Sequence, residues 1–339
     1  METNEHYNTN NPDFTKRPVF WQIVILMVML IVIFSSAILN QLADISSVAK
    51  PPSGDEQASE NAAALMASQR QTEASVPSAQ LDSVSIRAQA AYVFDMQQGT
   101  VLYEKNASEV LPLASITKLM TALLAYELMA ADETISIDLK AVLQDGDSGM
   151  VSGEAFDAAT LSDLVLMTSS NDGAYAMADS VGSLLGTPSG ADAFVAAMNI
   201  RAEQLGLSSL RFNNPTGLDI EPDRRPGAVG TAEDVARLMS YIVGNHSEIL
   251  ESTTEPTTRF YNADGAFHEA RNTNGVVTQI PGLIGSKTGY TDLAGGNLTI
   301  AYDAGLNRPI VIVVLGSTRT ERFSDVLALV DAINESLTP

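Results

Sequence analysis

The sequence contains no cysteine and only three histidines, His6, His246 and His268. The absence of cysteine excludes disulfide bonds, thiol catalysis, cysteine-ligated zinc and iron–sulfur clusters. So few histidines rule out a histidine-rich metal site and nearly rule out a Ser-His-Asp triad. We therefore predict no metal and no cofactor, and any covalent chemistry must use other side chains.

Basic residues are also scarce. The 339-residue chain has 19 lysines and arginines against 41 aspartates and glutamates, a formal net charge of −22. A surface this acidic repels phosphate backbones, so we expect no nucleic-acid partner. Once non-globular ends are removed, the length suffices for one large domain or two small ones.

Charge is absent altogether between Val19 and Leu39. As a helix, this segment would span roughly 32 Å, which matches the core of a bilayer. The preceding Lys16-Arg17 pair predicts that residues 1–18 stay in the cytoplasm and that the rest of the chain lies outside it. The alternative is a cleaved signal peptide with its cleavage site at Ser35-Ser36-Ala37, but the apolar run is longer than such peptides usually have. We therefore favour a transmembrane anchor.

Residues 40–85 are rich in serine, alanine, glutamine, glutamate and proline, a composition that predicts a disordered linker. From Ile86 the pattern becomes globular, and residues 86–339 are predicted to form one catalytic domain. Its predicted strands are Ala90–Phe94, Thr100–Tyr103, Asn297–Tyr302 and Ile310–Leu315, and its predicted helices are Ser115–Met129, Leu161–Met167, Ala193–Leu205, one opening at Thr231, and Arg322–Ser336. Short links between neighbouring strands predict an α+β fold, with an antiparallel sheet sandwiched between helices.

A serine nucleophile without histidine needs another base, and a lysine whose pKa is lowered by burial can serve. Ser115 and Lys118 are three residues apart, so their side chains share one face of a helix. Pro112 favours a helix start just after it, which places Ser115 in the first turn, where unpaired N–H groups stabilise negative charge. Taken alone, the pair is better explained as a capping serine beside a solvated lysine.

Two further motifs change this assessment. Only four lysines follow residue 86, and Lys118 and Lys287 both fall in motifs with a mechanistic meaning. Lys287-Thr288-Gly289 lies at the start of a strand-like segment, and Ser169-Ser170-Asn171 ends an apolar helical run. The three motifs, in this order, are the combined signature of penicillin-binding proteins and class A β-lactamases.

From about Ile86 to Asn334 the chain resembles the D-alanyl-D-alanine carboxypeptidases, the low-molecular-weight penicillin-binding proteins of peptidase family S11. The resemblance rests on four blocks, which are Leu113–Ala122, Ser169–Asp172, Asn214–Asp219 and Gly285–Gly295. Many relatives carry a C-terminal β-rich domain and an amphipathic anchor after the catalytic domain, and here we expect the apolar segment Val19–Leu39 to take the place of that anchor. Tyr290 stands where some relatives have histidine.

The resemblance implies a β-lactamase/transpeptidase-like fold and a penicillin-binding enzyme that removes the terminal D-alanine of peptidoglycan stem peptides. Ser115 would be the nucleophile, with Lys118 as its base. Ser169 would relay a proton to the leaving amine. Backbone N–H groups of Ser115 and Tyr290 would form the oxyanion hole.

The same resemblance implies the residues that hold the substrate. Asn171 would bind the substrate amide, while Lys287 and Thr288 would hold its free carboxylate. Gly289 would let the peptide lie along the strand edge. Arg322 would help to anchor the carboxylate, with the nearby Arg319 as a competing candidate.

Three alternatives remain open from the sequence. A D,D-endopeptidase that cuts peptidoglycan crosslinks would carry identical motifs. A β-lactamase needs a glutamate to activate water, and no Glu-x-x-Leu-Asn segment lies between Asn171 and Lys287. A non-catalytic wall-binding protein would be free to lose the motif residues. His246 and His268 lie in polar, loop-like contexts and are interpreted as surface residues.

Overall fold

The computed structural model describes residues 81, 83–146, 148–186, 190–220 and 225–337. The predicted tail, the apolar segment Val19–Leu39 and nearly all of the linker lie outside these residues. Among the helices that are described, none is both long enough and apolar enough to cross a membrane. Leu81 is fully buried and Ile86 is nearly so, and both pack into the same apolar cluster. The packed part of the chain therefore extends at least five residues before the predicted boundary at Ile86.

A five-stranded sheet organises the described residues. Strands are numbered in chain order as β1 (Ala90–Asp95), β2 (Thr100–Lys105), β3 (Leu111–Pro112), β4 (Thr134–Ser136), β5 (Ala155–Asp157), β6 (Arg211–Phe212), β7 (Ala228–Gly230), β8 (Thr257–Tyr261), β9 (Phe267–Arg271), β10 (Leu283–Thr291), β11 (Gly295–Asp303) and β12 (Pro309–Ser317). The sheet order is β10-β11-β12-β1-β2, and all four pairings are antiparallel. The other strands form smaller antiparallel sheets.

The α-helices are α1 (Lys118–Leu128), α2 (Leu139–Val142), α3 (Ala158–Thr168), α4 (Asn171–Leu184), α5 (Gly190–Gln204), α6 (Ala232–Asn245) and α7 (Glu321–Leu337). Short 3₁₀ helices cover Ala114–Thr117, Ser247–Thr254 and Val277–Gln279. Helix α7 packs on one face of the sheet, and α6 packs on the other. The predicted α+β fold, with an antiparallel sheet between helices, is thus confirmed.

Alternation along the central strands explains this layering. In β12, Val311, Val313 and Leu315 join the core that contains α6, whereas Ile310, Ile312 and Val314 join the core that contains α7. Successive side chains of a strand point to opposite faces, so a strand apolar at every position needs a cover on both sides. The predicted neighbouring strands pair as expected, because β1 with β2 and β11 with β12 are antiparallel neighbours in the sheet.

Helix α4 was missing from the sequence prediction. Its segment contains Gly173 and Gly182, which lower helix propensity. The structure shows why glycine stands there, because the helices approach closely. A Cβ at Gly173 would lie 2.6 Å from the Val165 side chain of α3, and one at Gly182 would lie 1.6 Å from the Gly190 carbonyl of α5.

Two predicted element boundaries also need correction. Helix α3 begins at Ala158, three residues before the predicted start, because Asp157 is the N-cap and accepts from the Thr160 N–H at 2.7 Å. Lys287 lies in the middle of β10 instead of at its start.

The turns at one end of the sheet depend on a buried aspartate. The Asp95 carboxylate accepts from the Gln97 and Gln98 N–H groups at 2.9 Å, and from Arg308 Nε at 2.6 Å. We expect Asp95→Ala to lower the free energy of unfolding by about 3 kcal/mol, because it leaves a buried guanidinium and two N–H groups without their acceptor. Chemical denaturation measures the loss. The exposed Asp132→Ala is the matched control and should be nearly neutral, and an equally small effect of Asp95→Ala would contradict this account.

Candidate active site

Ser115 lies in the 3₁₀ helix between β3 and α1. It is half-buried, while Ala114, Ile116 and Thr117 around it are buried. In a 3₁₀ helix the side chains at i and i+3 eclipse, so the Ser115 hydroxyl and the Lys118 side chain are brought onto the same line. The predicted first helical turn at Ser115 is therefore a 3₁₀ turn leading into α1, which begins at Lys118.

Lys118 is fully buried, and its amine has three neighbours. Nζ lies 2.7 Å from Asn171 Oδ1, 2.7 Å from the Thr216 carbonyl oxygen and 2.9 Å from Ser115 Oγ. The Asn171 amide orientation is fixed because its Nδ2 donates to the Asp145 carbonyl at 2.6 Å. Both carbonyl oxygens can only accept, so they take two N–H groups of the lysine. The remaining tetrahedral position of the amine faces the Ser115 hydroxyl.

The environment of Lys118 favours the uncharged amine. Burial lowers the pKa of Lys118 well below its ordinary value, and the positive charge of Lys287 lowers it further. The negative charge of Asp172 partly opposes both effects. A neutral amine with two N–H groups on carbonyl oxygens presents its lone pair to Ser115 Oγ, which is the geometry of a general base.

The junction between α3 and α4 presents Ser169 and Asn171. Ser169 ends α3 in the left-handed conformation, with a φ of 64°. Ser170 then caps α4, because its Oγ accepts from the Gly173 N–H at 2.9 Å. A non-glycine residue in this conformation is held in place by its surroundings. The sharp turn lets Ser169 and Asn171, two residues apart, contact two different lysines.

Lys287 contacts the second serine. Its Nζ lies 2.9 Å from Ser169 Oγ and 2.9 Å from the Thr288 carbonyl oxygen, and the side chain is 1% exposed. Burial lowers the pKa of Lys287 to about 7, with a further contribution from the positive charge of Arg322. The Thr288 hydroxyl lies 2.7 Å from the Thr273 hydroxyl, which anchors it at the edge strand β10.

Gly289 lies directly against the nucleophile turn. A Cβ at this position would be 2.8 Å from the Leu113 carbonyl oxygen and 3.2 Å from the Ser115 nitrogen. Only glycine therefore lets β10 approach Ser115 this closely. Tyr290 follows with its side chain 41% exposed, and the Arg319 guanidinium lies 5.0 Å from the centre of its ring.

Arg322 lies behind β10. Its Nη1 donates to the Gly289 carbonyl at 2.6 Å, and its Nε is buried without a hydrogen-bond partner among the described residues. Burial, with a smaller contribution from Arg319, lowers the pKa of Arg322 to about 10. The structure thus brings Arg322 to the strand that carries Lys287 and Thr288, and its closest polar contact there is with the backbone.

Sequence reasoning missed several groups that build the site. The Thr216 and Asp145 carbonyls fix Lys118 and Asn171, but backbone oxygens leave no signal in a sequence. Asn297 was predicted only as a strand residue. Its Nδ2 donates to the carbonyls of Pro112 and Leu113 at 3.0 and 3.1 Å, which ties the nucleophile turn to the sheet.

The interpretation of both histidines as surface residues needs correction. The His268 side chain is 18% exposed, and its Nε2 lies 2.9 Å from Glu154 Oε1. His246 is half-buried beside the ring of Tyr126. Neither histidine has a hydrogen bond to Ser115, Lys118 or Lys287 in the described part of the chain.

A family model described as D-alanyl-D-alanine carboxypeptidase matches residues 71–319. The D-alanyl-D-alanine carboxypeptidase DacF of Bacillus subtilis is 32% identical over 251 residues, which cover 72% of this chain and 61% of DacF. A D-alanyl-D-alanine endopeptidase of Pseudomonas aeruginosa is 33% identical over 233 residues, which cover 67% of this chain and 70% of that protein.

A solved structure of a penicillin-binding protein is also similar to this chain. Penicillin-binding protein D2 from Listeria monocytogenes, in its ampicillin-bound form, aligns with a TM-score of 0.61 and 31% sequence identity. The alignment covers 74% of this chain and 98% of that one.

Proposed function

The chain belongs to the D-alanyl-D-alanine carboxypeptidase family, peptidase family S11, and we propose that it is a serine-type D-Ala-D-Ala carboxypeptidase of peptidoglycan stem peptides. The proposal rests on the three contacts of the Lys118 amine. Two carbonyl oxygens occupy two of its directions, and the third faces Ser115 Oγ at 2.9 Å. This arrangement activates a serine without any histidine.

Acylation begins when Ser115 Oγ attacks the carbonyl carbon of the terminal D-Ala-D-Ala amide. Lys118 takes the hydroxyl proton, and the N–H groups of Ser115 and Tyr290 stabilise the oxyanion. The C–N bond then breaks, and the proton taken up by Lys118 passes through Ser169 to the departing D-alanine amine, which leaves Lys118 neutral and Ser169 protonated again. Water hydrolyses the resulting ester, which restores the Ser115 hydroxyl and releases the shortened peptide.

Substrate recognition uses the edge strand β10. The peptide pairs with the strand beside Gly289, where the strand lies directly against the turn that carries Ser115. Lys287 and Thr288 hold the terminal carboxylate, and Asn171 binds the substrate amide. Arg322 adds positive charge behind the strand. A β-lactam acylates Ser115 by the same attack, and its ring amide opens in place of the peptide bond.

A second candidate is a D,D-endopeptidase that cuts peptidoglycan crosslinks. The 33% identity to an endopeptidase of Pseudomonas aeruginosa supports it. Both reactions attack the carbonyl carbon of a D-alanine residue, and they differ in the group that leaves. The leaving group is free D-alanine in one case and a second stem peptide in the other.

The N-terminal sequence supports a proposal for the location of the enzyme. We propose a single-pass anchor at Val19–Leu39, with the catalytic domain outside the cytoplasm, where peptidoglycan lies. The uncharged run and the preceding Lys16-Arg17 support this topology. Protease treatment of intact cells should degrade the catalytic domain, and protection of that domain would contradict the topology.

Incubation of the full-length chain with penicillin, and separately with a pentapeptide ending in D-Ala-D-Ala, tests the activity. Intact-mass spectrometry should find one long-lived penicillin adduct, mapped to Ser115, and free D-alanine should be released from the peptide. Ser115→Ala is the control and should do neither. An adduct without release of D-alanine would favour the endopeptidase, and rapid turnover of penicillin would favour a β-lactamase.

A further inference from the structure

A buried carboxylate lies next to the site without a role in the mechanism above. Asp172 follows Asn171 in the first turn of α4 and is 2% exposed. Its Oδ2 accepts from Ser148 Oγ at 2.9 Å and from the Ser148 N–H at 3.4 Å. Ser148 Oγ also lies 2.7 Å from Ser170 Oγ, the cap of the same helix.

Asp172 directly follows Asn171, whose Oδ1 lies 2.7 Å from Lys118 Nζ, so a buried carboxylate stands one residue from a direct contact of that amine. Lys287, on β10, contributes positive charge, and Arg322 stands behind Lys287. Asp172, on α4, contributes the opposing negative charge. The remaining neighbours of the amine are neutral, namely Ser115, Asn171 and the Thr216 carbonyl.

A base in this position must satisfy two opposite requirements. The Lys118 amine must be neutral to accept a proton, which burial and Lys287 promote. An amine whose proton affinity falls too far, however, accepts the proton of a serine hydroxyl poorly. A nearby negative charge restores part of that affinity, and its effect is strong in a buried site.

We propose that Asp172 is a positioning residue whose buried charge, one residue from Asn171, keeps Lys118 basic enough to deprotonate Ser115, while its hydrogen bonds hold Ser148 against the N-terminal turn of α4. The inference rests on the proposed function of Lys118 as the base. In this proposal Asp172, the residue after Ser169-Ser170-Asn171, affects the reaction through Lys118 and does not contact the substrate.

Asp172→Asn separates the charge from the shape. The amide is nearly isosteric and its oxygen can still accept from Ser148, so only the charge is lost. We expect the acid limb of the penicillin acylation rate against pH to move down by about one pH unit, as expected for losing an opposite charge nearby. The plateau rate should fall about tenfold because the base is weaker.

Ser148→Ala is the matched control, since it removes the hydrogen bond and leaves the charge. It should keep the wild-type acid limb, whatever happens to its plateau rate. An acid limb that stays in place in Asp172→Asn would overturn the proposal, as would an equal displacement in Ser148→Ala. If Asp172→Asn does not fold, Asp172→Ser, which also removes the charge with a smaller polar side chain, is titrated in its place.

A direct titration separates this inference from the proposed function. The chain has only six lysines, so ¹³C-labelled lysine gives few side-chain signals, and Lys118→Met assigns that of Lys118. In the unreacted protein, the Lys118 signal should titrate at lower pH in Asp172→Asn than in the wild type. An unchanged titration overturns the inference even if the enzyme releases D-alanine. A shifted titration in a protein that releases none leaves the inference standing and removes the proposed activity.

Discussion

Replacing Lys118 with methionine should lower the rate at which penicillin acylates Ser115 by about 10³-fold, the range typical of a lost general base. Methionine fills much of the lysine volume but cannot take a proton. The loss should appear in the acylation step, measured by rapid quenching and intact-mass spectrometry. Because Asn171 Oδ1 and the Thr216 carbonyl also lose their donor, we expect a lower melting temperature as well.

Lys105 supplies a matched control for this stability effect. Its Nζ donates to the carbonyls of Ile86 and Ala88 at 3.1 and 2.7 Å, on β2 at the other edge of the sheet. Lys105→Met therefore also removes a lysine that holds two carbonyl oxygens, but it should acylate at the wild-type rate. If Lys118→Met acylates as fast as Lys105→Met, another group is the base, and the proposed mechanism fails.

The main sheet and the longer helices other than α4 were predictable because each has a strong local pattern. The apolar runs of β11 and β12, and the turn between β1 and β2, lie in continuous stretches of sequence. The same is true of the capping pattern at Thr231, whose Oγ1 accepts from the Asp234 N–H. Helix α4 was not predicted because its glycines are explained only by close packing against α3 and α5, which are separate elements of the chain. Local propensity contains no information about such contacts.

The catalytic motifs were predictable because their residues are close together in the sequence. The groups that orient them were not predictable, because they are distant in the sequence. Ser115 and Lys118 sit three residues apart, and scarcity of lysine made the pair conspicuous. What orients Lys118 is an amide 53 positions away and a carbonyl 98 positions away. The left-handed turn at Ser169 is equally invisible, since serine rarely adopts it and nothing in the local sequence demands it. Such features follow only from the packed fold.

Lys118 and Lys287 suit different roles because their surroundings differ. Lys118 is enclosed by a serine hydroxyl and two carbonyl oxygens, which leaves no position for a ligand. Lys287 contacts only Ser169 Oγ and the Thr288 carbonyl among the described residues, so its third N–H can reach a substrate carboxylate. A neutral amine suits the first role, and a charged one suits the second.

Lys287→Met should therefore reduce kcat/KM for a D-Ala-D-Ala peptide by about 10²- to 10³-fold, as expected when a buried charge partner is removed from an anion. Most of the change should appear as a higher KM, because the carboxylate is held before and during the reaction. The solvent-exposed Lys140→Met is the control and should keep the wild-type KM. An unchanged KM in Lys287→Met would assign carboxylate binding to another group.

The pH dependence tests the charge on Lys287 itself. With a pKa of about 7 in the free enzyme, this amine is protonated below that pH and neutral above it. Carboxylate binding needs the protonated form, so kcat/KM should fall as pH rises above about 7, while the need for neutral Lys118 sets the acid limb. Lys287→Arg stays charged throughout, so its basic limb should disappear even if its maximal rate is lower. A basic limb that persists in Lys287→Arg would mean that a different group controls binding at high pH.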